Sequence, residues 1–133
     1  MAEPQGASDL DDLRLTGPQL AIMRAVWSGG AVTVAEVVRT LADTRTLAHT
    51  TVSTVLTRLE KRGLVHCDRS GRQLVYSARV GKPETRRALV RSFIDRMFGG
   101  DPAALVAHLL EEHDVREEDL AEMTRIVEAG RKK

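Results

Sequence analysis

Apolar residues recur at helical spacing in three successive segments of the first half of the chain. The first segment begins with the capping-box sequence Thr16-Gly17-Pro18-Gln19 and ends at Ser28-Gly29-Gly30, where two glycines interrupt the pattern. The same start signal recurs at Thr33-Val34-Ala35-Glu36 and opens a second short helix. A third helix is predicted from about Thr50 to Arg62. The pattern therefore predicts a unit that begins with three closely spaced helices.

The third predicted helix has two chemically different faces. Its apolar positions recur at helical spacing and must face the core; they are Val52, Val55, Leu56 and Leu59. Another face carries small hydroxylated and basic side chains, namely Thr51, Thr54 and Arg58, flanked by Ser53, Thr57 and Lys61. Threonine is a poor helix former, so helix stability alone does not account for this face. Short hydroxylated side chains with cations beside them are what a helix needs to approach base edges in the major groove of DNA.

A β-hairpin is predicted directly after the third helix. The alternating segments Leu64–Asp68 and Gln73–Ser77 predict two strands, joined by a tight turn at Ser70-Gly71. The tip of this hairpin carries Arg69 and Arg72, which are placed to contact a phosphate backbone. Three helices followed by a hairpin are typical of the winged helix-turn-helix, whose third helix enters the major groove.

Helical periodicity continues beyond Gly81. We predict one helix from about Pro83 to Phe98, a short apolar helix from Asp101-Pro102 to Leu110, and a last helix capped by Asp114-Val115-Arg116-Glu117. Such short amphipathic helices bury too little surface alone, so they most simply pack against a second copy in a twofold dimer. The alternative is that they fold back on their own winged helix. The residues expected to form the dimer contact are Leu89, Phe93, Met97, Leu105, Leu109, Leu120, Met123 and Val127.

The predicted fold class is mainly α with a small β-hairpin. Residues 1–13 are acidic, contain proline and glycine and lack periodicity, so we expect a disordered N-terminal tail. We expect the winged-helix DNA-binding domain to span residues 14–80 and the helical dimerisation region to span residues 81–133.

Charge is segregated along the chain, although the net charge is only +1. Residues 45–72 carry six basic and two acidic side chains, and residues 74–100 carry the same numbers, so each segment has a net charge of +4. Residues 101–133 carry five basic and nine acidic side chains, a net charge of −4. A basic part joined to an acidic part indicates a face that binds a polyanion and a distal part held away from it.

The residue types that catalysis or metal binding needs do not form recognisable motifs. Cys67 is the only cysteine, which excludes an internal disulfide and a multi-thiolate zinc site, and its place in a strand favours a buried structural role over a redox switch. His108 and His113 are five residues apart, a spacing that does not match helical zinc motifs. The sequence shows no nucleophile–base pairing and no phosphate loop. We therefore expect no enzymatic activity, no cofactor and no metal.

The predicted location is the cytoplasm. The first residues of the chain are acidic rather than basic and lack the apolar segment of a signal peptide. No stretch is long enough to span a membrane, so we expect no membrane association.

Several segments resemble the BlaI/MecI/CopY family of penicillinase repressors. They are Leu15–Ser28, Thr50-Thr51-Val52 through Arg58-Leu59, Lys61–Val65, Val75-Tyr76-Ser77, and Phe98-Gly99-Gly100 followed by Ala104–Glu112. The resemblance implies a bacterial homodimeric repressor whose winged helices bind an inverted-repeat operator in a promoter, while its C-terminal helices dimerise. By position, it also implies that Thr50, Thr51, Ser53 and Thr54 meet bases. Arg58 and the wing, which is the predicted hairpin of residues 64–77, would lie near phosphates.

The chain departs from the pattern of this family in three places. His49, next to Thr50, stands where many members have an aromatic residue, so we expect base preference to differ in detail. Antibiotic-responsive members are cut at an Asn-Phe bond by a membrane sensor protease, and the aligned residues here are His108-Leu109. The copper-responsive branch has a C-terminal cysteine cluster, which this chain lacks, so a copper sensor of that type is excluded. A sensor protease or another inducer therefore stays open as a partner.

The alternative function is a winged helix that binds other proteins, or an architectural one that binds DNA without sequence preference.

Overall fold

A computed structural model describes residues 13–112 and 114–131, and within these ranges the chain forms six helices and three strands. In chain order they are α1 Gly17–Gly29, β1 Ala31–Val32, α2 Val34–Leu41, α3 His49–Lys61, β2 Val65–Asp68, β3 Val75–Ala78, α4 Lys82–Phe98, α5 Pro102–Glu112 and α6 Glu117–Arg131. This confirms the mainly α fold class. The predicted tail, apart from Leu13, and His113 lie outside the described residues. No helix in the described ranges is both long enough and apolar enough to cross a membrane.

The strands form one antiparallel sheet in the order β1-β3-β2. The pair β2–β3 is the predicted hairpin, with Cys67 opposite Tyr76. The other edge of β3 pairs with β1, which places Val32 opposite Tyr76. The prediction of a hairpin alone was therefore incomplete, because a strand of two residues has no alternation of apolar and polar positions to detect.

The core of the winged helix is built from the apolar faces that the periodicity predicted. Val52, Leu56 and Leu59 of α3 are fully buried and pack in one cluster with the apolar residues of α1, α2 and the sheet. The cluster includes Cys67 at 5% exposure, so burial of this thiol is confirmed. It also includes Leu13, the last residue of the predicted tail, at 4% exposure. Because α3 is anchored by one face, its opposite face is directed towards solvent.

Capping boxes start both helices that precede α3. The Thr16 hydroxyl accepts a hydrogen bond from the backbone amide of Gln19 at 3.2 Å. The backbone amide of Thr16 donates in return to the side-chain oxygen Oε1 of Gln19 at 3.0 Å. Thr33 and Glu36 repeat this exchange at 3.2 and 2.9 Å. The backbone hydrogen bond from Thr33 lowers the pKa of Glu36. These exchanges satisfy amide groups that a helix start leaves without intrahelical partners.

A glycine at positive φ ends α3 and turns the chain into the wing. Gly63 has a φ of 79°, and its amide donates to the Glu60 carbonyl at 2.9 Å. The Leu64 amide donates to the Leu59 carbonyl at 3.0 Å. This pair of bonds is the Schellman motif, which any side chain larger than hydrogen at the glycine position would strain.

The chain divides into two compact units between Ser92 and Phe93, within α4. The first unit contains the winged helix and the N-terminal part of α4, where Thr85, Ala88 and Ser92 are buried. The Trp27 indole donates to the Val80 carbonyl at 2.9 Å and so joins α1 to the segment that leads into α4.

The second unit contains the C-terminal part of α4 with α5 and α6. Phe98 contacts Phe93 and His108 edge to face, with ring centroids 5.7 and 5.9 Å apart. No described residue of α5 or α6 is buried. The unit consequently leaves much of its apolar surface uncovered.

Candidate nucleic-acid interface

The solvent-directed face of α3 brings most of the predicted DNA-contacting residues together. Ser53 is half-buried, and the other predicted residues of this helix are exposed; these are Thr50, Thr51, Thr54, Thr57, Arg58 and Lys61. All seven lie on one helix of 13 residues whose other face is held by the core. The helix therefore presents a surface of hydroxyls and methyl groups with cations in its last turn.

Two threonines on this face use their hydroxyl protons within the helix. Thr54 Oγ1 donates to the Thr50 carbonyl at 2.9 Å, and Thr57 Oγ1 donates to the Ser53 carbonyl at 2.9 Å. Once the proton is used in this way, the hydroxyl oxygen keeps its lone pairs as acceptors and the methyl group remains for apolar contact. This chemistry suits the amino groups of adenine and cytosine and the methyl group of thymine.

An ion pair joins the wing to α3. Arg69, in the loop after β2, donates from both terminal nitrogens to the two carboxylate oxygens of Glu60, each at 2.8 Å. The hydrogen bond with Arg69 lowers the pKa of Glu60, and the same bond raises that of Arg69. The guanidinium of Arg69, which was predicted to contact a phosphate, thus also holds the wing against α3, the helix predicted to read the bases (the reading helix). The sequence pattern did not reveal this second role, because the two residues are nine positions apart in different elements.

Arg72 lies at the tip of the wing and is exposed. Within the described ranges it has no ion pair or side-chain hydrogen bond, in contrast to Arg69. Its guanidinium is therefore available to a phosphate without breaking an existing contact.

A cleft of about 250 Å³ lies between the wing and the two helices α2 and α3. It is bounded by Thr33 at the start of α2, by His49 and Ser53 on α3, and by Gln73 and Leu74 on the wing. Leu74 is 40% exposed. Sequence reasoning noted His49 but did not select Gln73 or Leu74. The signal that the sequence offered was an apolar residue, Leu74, two positions after Arg72 at the predicted hairpin tip.

The predicted dimerisation residues divide between the two units. Leu89 lies in the first unit, where it is half-buried against the core of the winged helix. The remaining seven lie in the second unit, where Leu105 and Leu109 are half-buried and the others are exposed; the exposed ones are Phe93, Met97, Leu120, Met123 and Val127. Val90, Val106, Leu110 and Ile126 are further exposed apolar residues that the prediction omitted.

Three helices, a three-stranded antiparallel sheet and a solvent-directed third helix define the winged helix-turn-helix class. The family model described as penicillinase repressor matches residues 15–129. The chain belongs to the penicillinase repressor family, as the resemblance predicted.

Known proteins resemble the chain in sequence or in fold. The penicillinase repressor of Bacillus licheniformis is 26% identical over 86% of this chain and 90% of that protein. The BlaI monomer of Bacillus licheniformis, solved in complex with the blaP half-operator, is 26% identical, covers 55% of this chain and 89% of its own, and has a TM-score of 0.47. The multiple antibiotic-resistance repressor (MarR) from Listeria monocytogenes has a TM-score of 0.52 at 21% identity, over 96% of this chain and 84% of its own, which indicates a shared fold.

Proposed function

We propose that the protein is a sequence-specific transcriptional repressor that binds an inverted-repeat operator as a homodimer. The observation that carries the proposal is the solvent-directed face of α3. Its exposed positions carry threonines, although threonine is a poor helix former. Membership of the penicillinase repressor family and the name of its Bacillus licheniformis relative support the same function. A protein with this role acts in the cytoplasm.

In this proposal α3 lies in the major groove and the wing lies against the backbone. Thr50, Thr51, Ser53 and Thr54 meet base edges near the start of the helix. Thr57, Arg58 and Lys61 lie towards its end, where the two cations neutralise phosphates, and Arg69 and Arg72 do the same from the wing. Direct contacts to bases give specificity, and contacts to phosphates give affinity that falls with salt.

Dimerisation is proposed through the second unit. Its exposed apolar residues include Met97 at 65% and Ile126 at 58% exposure, which is unfavourable in a monomer. A second copy covers such a face by twofold symmetry, and two winged helices then meet two half-sites of an inverted repeat. The net negative charge of residues 101–133 is compatible with a part that stays away from DNA.

We do not include proteolytic induction. The bond aligned with the Asn-Phe cleavage site of antibiotic-responsive members is His108-Leu109 here, so a protease that recognises Asn-Phe is not expected to cut it. An inducer of another kind is compatible with the same repressor.

Fluorescence anisotropy with two duplexes tests the proposal. One duplex is the sequence upstream of the protein's own coding region, or the best sequence selected from a randomised pool, and the other is its scrambled version. We expect a preference of about a thousandfold or more for the first duplex and affinity that falls steeply with salt. Equal affinity for both duplexes at every salt concentration contradicts a repressor and favours an architectural winged helix. No binding to either duplex favours a module that binds other proteins.

A further inference from the structure

A second cavity, of about 260 Å³, lies on the side of the first unit formed by α1 and the start of α4. Its apolar lining comes from Leu20, Trp27 and Leu89, each half-buried. None of these residues belongs to the reading face of α3 or to the wing, so the cavity is separate from the proposed DNA-binding surface.

Three cations line the same cavity. Arg24 comes from α1, and Lys82 and Arg86 come from the first turns of α4; all three are exposed. Among the described residues none of them has an ion pair or a side-chain hydrogen bond. The nearest acidic residue in sequence, Glu84, is paired with Arg87 at 3.8 Å. An apolar cavity edged by three cations without partners is complementary to a molecule with an apolar body and a negative charge.

The walls of the cavity are held in place before any ligand binds. The Trp27 indole is oriented by its 2.9 Å hydrogen bond to the Val80 carbonyl. Thr85, which is 1% exposed and also lines the cavity, donates its hydroxyl to the Gly81 carbonyl at 2.8 Å. Preformed walls reduce the ordering that binding would otherwise require.

The size of the cavity limits its occupant. A cavity of about 150 Å³ accommodates a benzene molecule, and sites for drug-sized ligands start at about 300 Å³. The present volume of about 260 Å³ lies between these limits. It therefore fits a single ring with one short charged substituent.

We infer that the cavity between α1 and the start of α4 binds a small organic anion, of the class of a monocyclic carboxylate. The ring packs against Leu20, Trp27 and Leu89, and the carboxylate accepts hydrogen bonds from Arg24, Lys82 and Arg86. Such a ligand bridges α1 and α4. If the protein is the proposed repressor, this ligand is an effector that regulates it without cleavage of the chain.

Trp27 is the only tryptophan of the chain and therefore reports on this site alone. The probe is cyclohexanecarboxylate, which does not absorb where tryptophan is excited, added to the full-length protein without DNA. We expect a saturable change in Trp27 emission with a dissociation constant of about millimolar or tighter, and at least about tenfold weaker binding of the neutral cyclohexanecarboxamide. Because no DNA is present, the result is independent of whether the repressor function is correct.

Charge-neutralising variants locate the carboxylate. Arg24→Gln and Arg86→Gln should each weaken the binding of cyclohexanecarboxylate by about tenfold, because each removes a charge-assisted hydrogen bond. Arg96→Gln is the matched control, since Arg96 carries the same charge on the same helix, has no ion pair within the described residues and does not line the cavity; it should change affinity by less than about twofold. All three side chains are exposed, so the variants should keep the unfolding temperature of the parent protein.

Three results would overturn the inference. The first is the absence of a saturable change in Trp27 emission. The second is equal affinity for the acid and the amide, or an equal effect of Arg96→Gln and Arg86→Gln. The third is Trp27 emission that depends on protein concentration but not on the acid, which indicates that another copy of the chain covers the cavity.

Discussion

The threonines of α3 and α2 have the same local geometry in different surroundings. Thr54 donates its hydroxyl to the carbonyl of Thr50, four residues earlier, at 2.9 Å. Thr40, which is exposed on α2, donates to the Glu36 carbonyl at the same distance. The cost of this arrangement to the helix is therefore similar at both positions. Only the position on α3 offers a gain that offsets the cost, if that helix reads DNA.

Thr54→Ala should reduce discrimination between operator and scrambled DNA by about 1–3 kcal/mol, because it removes the side-chain oxygen and the methyl group from the reading face. Thr40→Ala is the control, since it removes an equivalent hydroxyl from α2. We expect the control to bind both duplexes like the parent protein in the anisotropy assay. An equal loss in both variants, or no loss in Thr54→Ala, would contradict the assignment of this face.

Arg58 tests the assignment of phosphate contacts. Arg58→Ala should weaken binding to operator and scrambled DNA alike, and should reduce the slope of log affinity against log salt by about one. Arg96→Ala is a matched change, because Arg96 is also exposed in the last turn of a helix, α4. A salt slope that Arg58→Ala leaves unchanged would place this residue away from the backbone of DNA.

At the scale of elements, the ion pair between Glu60 and Arg69 connects the reading helix to the wing. The pKa of Glu60 is lower in the folded protein than in the unfolded chain, chiefly through its hydrogen bond with Arg69. The stabilisation is therefore fully present above the unfolded pKa of this carboxyl and is lost as pH falls through the lower, folded pKa. The pair should matter at neutral pH and not in acid.

Glu60→Gln should lower the unfolding temperature at about pH 7 and should lower it less in acid, because the stabilisation is lost as pH falls through the lowered pKa of the parent carboxyl. Thermal unfolding followed by circular dichroism measures both values. Glu111→Gln serves as the control, because Glu111 is exposed and has no ion pair within the described residues. A loss of stability in Glu60→Gln that is the same at both pH values would contradict the linkage.

The capping box at the start of α2 is the second testable feature at this scale. Thr33→Ala removes the hydroxyl that accepts from the Glu36 amide, and should destabilise the protein by about 1 kcal/mol. Thr40→Ala on the same helix removes a hydroxyl that does not cap. Denaturant unfolding should therefore show a lower midpoint for Thr33→Ala alone. Similar midpoints in the two variants would mean that the cap contributes nothing.

Local signals account for the elements that were predicted correctly and for the one that was missed. The helices were predictable because capping residues and apolar spacing are encoded in neighbouring positions, as at Thr16 and Thr33. The strand Ala31–Val32 was missed because it is defined only by pairing with β3, more than forty residues later. The contact between Arg69 and Glu60 depends in the same way on how two elements meet. The reading face of α3 could be proposed from sequence, because apolar residues at helical spacing separate a buried face from an exposed face within one helix.

At the scale of the whole molecule, the second unit determines the expected oligomeric state. None of the described residues of α5 and α6 is buried, although both helices carry several apolar side chains. A face of this kind is expected to be covered by a second copy. Most apolar residues of the winged helix are, in contrast, already buried in its own core.

Val127→Glu should convert the proposed dimer into a monomer at micromolar concentration, because it places a charge in the apolar face of α6. Ala129→Glu is the control, since two positions along a helix place it on the other side. Sedimentation velocity measures the mass of each variant. A parent protein that sediments as a monomer, or a dimer that withstands Val127→Glu, would contradict dimerisation through this face.

Chemical-shift mapping of the backbone amides on addition of operator DNA tests the role of α3 in DNA binding, because it shows which residues meet the duplex. We expect the largest changes on residues 49–61 and on the wing between β2 and β3, and little change in α5 and α6. Changes concentrated in α5 and α6, or spread evenly over basic residues throughout the chain, would contradict an operator-reading role for α3.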